Sequence, residues 1–123
     1  MPGVRREGGP THSGKRPWGK YRLLFQNQGE AKVTAKILMV LPHSRLSLQK
    51  HSLRSEYWFV MEGEAEVSMG GTDLVLHPGE TVRIPPGTAH RLGTGNGTKV
   101  LEVSTGYFDE GDIVRLEDDY GRA

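Results

Sequence analysis

Between residues 46 and 63 the chain reads LSLQKHSLRSEYWFVMEG, and four side chains in it can do chemistry: Gln49, His51, Arg54 and Glu56. A fifth, His90, follows the turn-forming run Pro85-Pro86-Gly87. Gln49 and His51 are two apart, which on an extended strand puts both side chains on one face. Glu56 follows after enough chain to turn back toward them, and the proline and glycine ahead of His90 fix a tight turn. Two imidazoles, a carboxylate and an amide oxygen are donors that suit one divalent ion of zinc, manganese, iron, cobalt or nickel. Arg54 carries a planar fork that binds oxyanions in pairs of hydrogen bonds, so beside such a site it suits a phosphate or a sugar oxygen. The competing reading is a solvated strand face. Taken singly, His51 and His90 are ordinary surface or core histidines and Arg54 a hydrated charge.

The bulk of the chain narrows the choice. Its 123 residues suffice for one domain with a core of its own. A net charge of +1 gives no strong field toward nucleic acid or an anionic membrane, so neither is expected as a partner. There is no cysteine, which removes disulfides, zinc–thiolate sites and cysteine nucleophiles. A metal must therefore be held by histidine, carboxylate or amide. No apolar run approaches the ~20 residues of a membrane span. The N-terminus lacks the apolar core of a signal peptide, which leaves the cytoplasm as the default expectation.

A site of this kind needs a rigid frame, and the punctuation is that of many short strands. Residues 1–15 (MPGVRREGGPTHSGK) are rich in Gly, Pro and basic side chains without periodicity, and read as a flexible arm; the domain proper is expected over 16–123. Residues 32–41 (KVTAKILMVL) alternate with period two: Val33, Ala35, Ile37, Met39 and Leu41 share a face. Leu38 and Val40 make the opposite face apolar too, so a strand buried on both sides is expected. Further strands are expected at 57–61, 64–69, 72–77, 81–84 and 98–104, separated by Gly70-Gly71, Pro78-Gly79, Pro85-Pro86-Gly87 and the run 93–97. Such a pattern predicts an all-β antiparallel barrel or sandwich. The acidic tail from 109 onward is read as a solvated face with room for one helical turn. His12, His43 and His77 have no partner at metal-ligand spacing and are taken as surface residues. Trp18, Trp58 and Phe59 are taken as core or dimer packing.

The spacings of His51, Glu56 and Gly63, and of Gly79, Pro85, Gly87 and His90, resemble the two cupin motifs. Gln49 stands where the first histidine usually sits, His43 where the leading glycine would be, and Thr94 where the final asparagine would be. More narrowly, Arg16-Pro17-Trp18-Gly19, Leu46-Ser47-Leu48-Gln49, Arg54-Ser55-Glu56-Tyr57-Trp58, His90-Arg91-Leu92 and the ending DIVRLEDDYGR resemble the C-terminal isomerase domain of type II mannose-6-phosphate isomerases. The chain departs from that family at Tyr57, where a histidine is usual, at Ser52-Leu53, at Thr34 ahead of Lys36, and in the loop 93–97.

The resemblance implies a single double-stranded β-helix, or jelly roll, with one divalent metal in its mouth. His51, Glu56 and His90 would be ligands, and Gln49 would either ligate through its amide oxygen or hold a bound water. It implies a sugar phosphate as substrate, a homodimer, and interconversion of mannose 6-phosphate and fructose 6-phosphate, with Arg54, Lys36 and Arg115 catalytic and Arg54, Arg115 and Arg122 holding substrate. The base would be Lys36 or a metal-bound hydroxide. Two other readings stay open. A 2-His-1-carboxylate set also suits a non-haem iron dioxygenase, and the fold also hosts non-catalytic sugar-binding or regulatory proteins. Larger members join this domain to a nucleotidyltransferase; with no phosphate-cradling glycine loop here, that activity is not expected.

Overall fold

Runs of β-branched and aromatic residues, cut by glycine and proline, pair as strands throughout the described residues, which are 13–26, 33–106 and 112–122 of a computed structural model. The strands are β1 (Ser13–Arg16), β2 (Gly19–Gln26), β3 (Val33–Val40), β4 (Ser44–Arg45), β5 (Leu48–Lys50), β6 (Arg54–Gly63), β7 (Ala65–Met69), β8 (Thr72–Leu76), β9 (Thr81–Ile84), β10 (His90–Thr94), β11 (Thr98–Gly106) and β12 (Val114–Glu117). They form two sheets, ordered β1-β2-β3-β11-β6-β9 and β12-β5-β10-β7-β8, with β4 joined to β10. All the pairings are antiparallel, and the described residues contain no helix. This is an antiparallel barrel, one of the two forms that the spacing predicts, and the jelly roll that the resemblance implies. Gly63 ends β6 with φ 71°, and a side chain there would run into the Gly97 carbonyl, so the hairpin into β7 needs glycine.

The barrel interior grades from dry to polar along its strands. At one end Val40, Val60, Val100, Leu92 and Val67 are buried together. Moving along β3, β11 and β6, the next interior rows hold Leu38–Val100–Val60, then Lys36–Glu102–Trp58, then Thr34–Ser104–Glu56. Strand alternation carries each of these residues inward with its apolar neighbours. The same geometry that builds the core thus plants Lys36, Glu102 and Glu56 at its open end.

Several sequence expectations change here. In β3 the buried residues are Thr34, Leu38 and Val40, while Val33, Ala35, Ile37 and Met39 are only half-buried on the outer face; the strand is not buried on both sides, because no second layer covers that face among the described residues. The described part of the tail shows no helical turn: residues 114–117 extend as β12 along β5. Pairing begins at Ser13, so the last three residues of the expected arm lie in a strand, and Gly14 leaves room for the ring of its cross-strand partner Tyr21. Residues 1–12 of that arm lie outside the described residues. Gly93 and Thr94 belong to β10 rather than to a turn. The polar strands β1, β4, β5 and β12 escape a hydrophobic pattern because they are short or at sheet edges. Among the described residues no helix is long and apolar enough to cross a membrane.

Candidate metal centre

The two sheets bring the motif residues together from opposite sides. Glu56 comes from β6 and His90 from the first position of β10. Gln49 is the register partner of His90 on β5, and His51 follows just past that strand's end. The turn at Gly87, with φ 79°, points its N–H at the His51 carbonyl at 2.6 Å and so ties the second motif to the first. One ligand atom from each of His51, Glu56 and His90 lies within 4.8 Å of the others, and all three residues are buried.

The hydrogen bonds settle which ring atoms are available. His51 Nδ1 lies 2.7 Å from the Asp112 carbonyl and His90 Nδ1 lies 2.8 Å from the Thr88 carbonyl. A carbonyl only accepts, so both Nδ1 atoms carry hydrogen, and a neutral ring then offers a lone pair at Nε2. His90 Nε2 is 2.9 Å and His51 Nε2 3.5 Å from Glu56 Oε1. Neither Glu56 Oε1 nor His90 Nε2 has a hydrogen-bond partner. Glu56 Oε1 and His90 Nε2, facing each other out of water without a partner, are costly as they stand and would be satisfied by a cation between them and His51 Nε2. The donor set therefore fits a divalent metal. Burial would raise the Glu56 pKa, but the His90 ring, a hydrogen bond from Glu102 and the charge of His51 outweigh it and hold the carboxyl at about 2, so Glu56 is an anion ready to meet a cation. Burial lowers the pKa of His51, with Glu56 opposing and Arg54 reinforcing, which favours the neutral, ligating ring.

A cavity of about 150 Å³ opens beside this cluster. Its walls include each of the other residues expected at the site: Gln49, Arg54, Lys36, Arg115 and Arg122. Arg54 Nη2 lies 3.1 Å from His51 Nε2, at the edge of the ligand cluster. Arg122 is held by Asp118, its Nε donating at 2.8 Å. The exposed His43 and His77 stay clear of the cavity, and His77 meets Glu64 and Glu80 instead; His12 lies outside the described residues. Trp18 and Trp58 are core, whereas Phe59 is 39% exposed on the outer face. Thr94, in the position of the motif asparagine, braces a turn: its hydroxyl donates to the Glu64 carbonyl and accepts from the Gly97 N–H.

Arg16, Tyr21 and Glu102 are polar residues of the cavity to which the sequence analysis gave no role. Arg16 and Tyr21, from the β1–β2 hairpin, sit at its lip with the guanidinium 4.7 Å from the ring centre. Glu102, on β11, is the third. Trp58 Nε1 donates to Glu102 Oε2 at 3.0 Å, and the acid is hydrogen-bonded to Glu56. Burial, then the charge of Glu56, pushes its pKa up to about 8, so Glu102 is a neutral acid at pH 7. A signal was present in the sequence: Glu102 alternates with Val100 and Ser104, an acid on an otherwise inward face.

A small antiparallel barrel with a His–Glu–His cluster at its open end is a cupin. An RmlC-like cupin of Shewanella frigidimarina superposes with a TM-score of 0.72 at 18% identity, covering 87% of this chain and 99% of that one, which establishes the fold. The chain belongs to the mannose-6-phosphate isomerase C-terminal family, whose pattern matches residues 6–118. It is 41% identical over 110 residues to the xanthan biosynthesis protein XanB of Xanthomonas campestris, covering 87% of this chain and 23% of XanB. It is 40% identical over 112 residues to the mannose-1-phosphate guanylyltransferase ManC of Salmonella typhimurium, covering 87% and 22% respectively. The chain thus spans less than a quarter of the length of these curated relatives.

Proposed function

We propose that this cupin is a metal-dependent aldose–ketose isomerase that interconverts mannose 6-phosphate and fructose 6-phosphate in the supply of sugars for polysaccharide synthesis. One observation carries the reading: the converging lone pairs of His51, Glu56 and His90 open on a cavity walled by Lys36, Arg54, Arg115 and Arg122. Family membership and the names of XanB and ManC support the sugar class.

His51, Glu56 and His90 would hold the ion, with Gln49 completing the set. Held by these residues, a divalent ion would supply Lewis acidity toward a sugar carbonyl and its neighbouring hydroxyl, which would make the adjacent C–H more acidic. The chain's own groups do the rest. Arg54, at the edge of the ligand cluster, is placed to meet a sugar oxygen, and Arg115 and Arg122 line the outer wall for the phosphate. Glu56 is committed to the ion and is a poor base. Glu102, out of water on the cavity wall, is a carboxyl able to take up or give a proton, and Lys36 is its register neighbour on β3. These two are the groups that would move the proton between C1 and C2.

The test is conversion of mannose 6-phosphate by the metal-loaded protein, coupled to detection of fructose 6-phosphate. Turnover that chelation stops and metal restores is expected. Binding without turnover would instead favour a non-catalytic sugar-binding protein, and oxygen uptake by the iron form would favour a dioxygenase.

A further inference from the structure

The C-terminal segment, residues 112–122, lies across the barrel mouth, and three of its contacts reach the loop that carries His51. The Asp112 carbonyl accepts from His51 Nδ1 at 2.7 Å. The Asp112 carboxylate accepts from the N–H groups of Ser52 and Leu53, each at 2.9 Å. One residue therefore holds both the ring and the backbone beside it. Farther along, β12 pairs with β5 so that Arg115 faces Gln49 in register. The far end is pinned by polar groups: Arg45 meets Asp119 through two hydrogen bonds at 2.6 and 2.8 Å, and Arg91 Nη2 donates to the Glu117 carbonyl. Val114 and Leu116 remain about half exposed, so little apolar burial holds the segment down. An element fastened mainly by exposed polar contacts belongs to the low-stability end of a fold.

We infer that residues 112–122 form a strap whose docking is coupled to metal binding, with Asp112 as the positioning residue for His51. The inference rests on the metal reading of the His51–Glu56–His90 cluster. The physical link is the tautomer. The Asp112 carbonyl holds hydrogen on Nδ1 and leaves Nε2 with the lone pair that faces Glu56. When the strap lifts, His51 loses that partner and its ring is free to turn or change tautomer, and an ion loses a correctly aimed ligand. Coupling of this kind is reciprocal: whatever factor strap docking adds to metal affinity, bound metal adds to strap docking. The acidic tail, which composition alone assigns to a solvated face, thereby becomes part of the site.

The test is calorimetric titration of the full chain, freed of metal, with zinc. Asp112→Ala is expected to weaken binding by about 10–100-fold, the range for groups that orient a metal-bound histidine. Asp112→Asn keeps an acceptor for only one of the Ser52 and Leu53 N–H groups and sets its NH2 against the other, so it is expected to recover at most part of the loss. A second measurement needs no variant: saturating zinc should slow hydrogen exchange at those amides of β12 that pair with β5 in the native protein by roughly 10-fold or more. Zinc affinity unchanged in Asp112→Ala, or exchange in the strap that ignores zinc, would overturn the coupling. No zinc uptake by the native protein would instead overturn the metal reading itself.

Discussion

His90 presents Nε2 to Glu56 Oε1 at 2.9 Å while its Nδ1 donates to the Thr88 carbonyl at 2.8 Å, so two acceptors meet where water does not reach. A bound divalent ion resolves that conflict. Elemental analysis should therefore find a first-row metal in carefully prepared protein, and His51→Ala and His90→Ala should each weaken zinc binding by on the order of 100-fold or more. Because the ion binds the folded site, zinc at a hundred times its dissociation constant should add about 2.7 kcal/mol of stability, which thermal unfolding with and without chelator would read. Blank metal analysis together with no heat on adding zinc, manganese or nickel would show the cluster to be inert.

Glu102 gives the metal-free protein a distinct response to pH. Its carboxyl titrates at about 8 when folded, against 4.5 for an ordinary glutamate. The folded state therefore holds a proton that the unfolded chain has released, and stability falls as pH rises from about 4.5 through about 8. Glu102→Gln keeps an acceptor for Trp58 Nε1 and removes the titration, so denaturant midpoints measured in chelator should lose their downward slope in that window. An unchanged slope would place its source elsewhere.

Arg54 sits with Nη2 3.1 Å from His51 Nε2 and on the cavity wall. If it meets a substrate oxygen, Arg54→Ala should lower turnover of the sugar phosphate by about tenfold or more, as expected when a charge-assisted contact of ~1.5–3 kcal/mol is lost. Free mannose, without the anchoring phosphate, should react far more poorly. Steady-state kinetics on both sugars check this. Equal rates on mannose and mannose 6-phosphate would remove the phosphate from the account.

The outer face of the first sheet carries Tyr57, Phe59 and Met61 at 44%, 39% and 39% exposure, and the half-buried Leu101 and Val103 of β11 continue it toward Ala35 and Ile37 of β3. Contiguous apolar surface of this kind suits a protein partner, and we expect a homodimer through it. Light scattering should give twice the chain mass of 13.6 kDa, and Phe59→Glu should shift the protein toward monomer. A mass of one chain at micromolar concentration would refute this.

The sequence by itself determined the barrel and the ligand spacing. Glycine and proline at fixed positions dictate turns whatever surrounds them; Gly63 and Gly87 do have the positive φ that their motif places imply. Alternation along residues 32–41 was likewise legible, because inward and outward positions differ by one residue, although not which face turns inward. Tertiary structure decided what depends on pairing between distant segments. Glu102 becomes a neutral acid only because β11 lies beside β6 and sets it against Glu56 and Trp58. Asp112, one acid among several in a charged tail, reaches His51 only because β12 docks along β5. The inner face of β3 went to Thr34 and Lys36 rather than to the more apolar Ile37 and Met39, since register with β11 fixes the side. Each of these rests on hydrogen-bond register and burial, which arise between strands and leave no periodic trace within one.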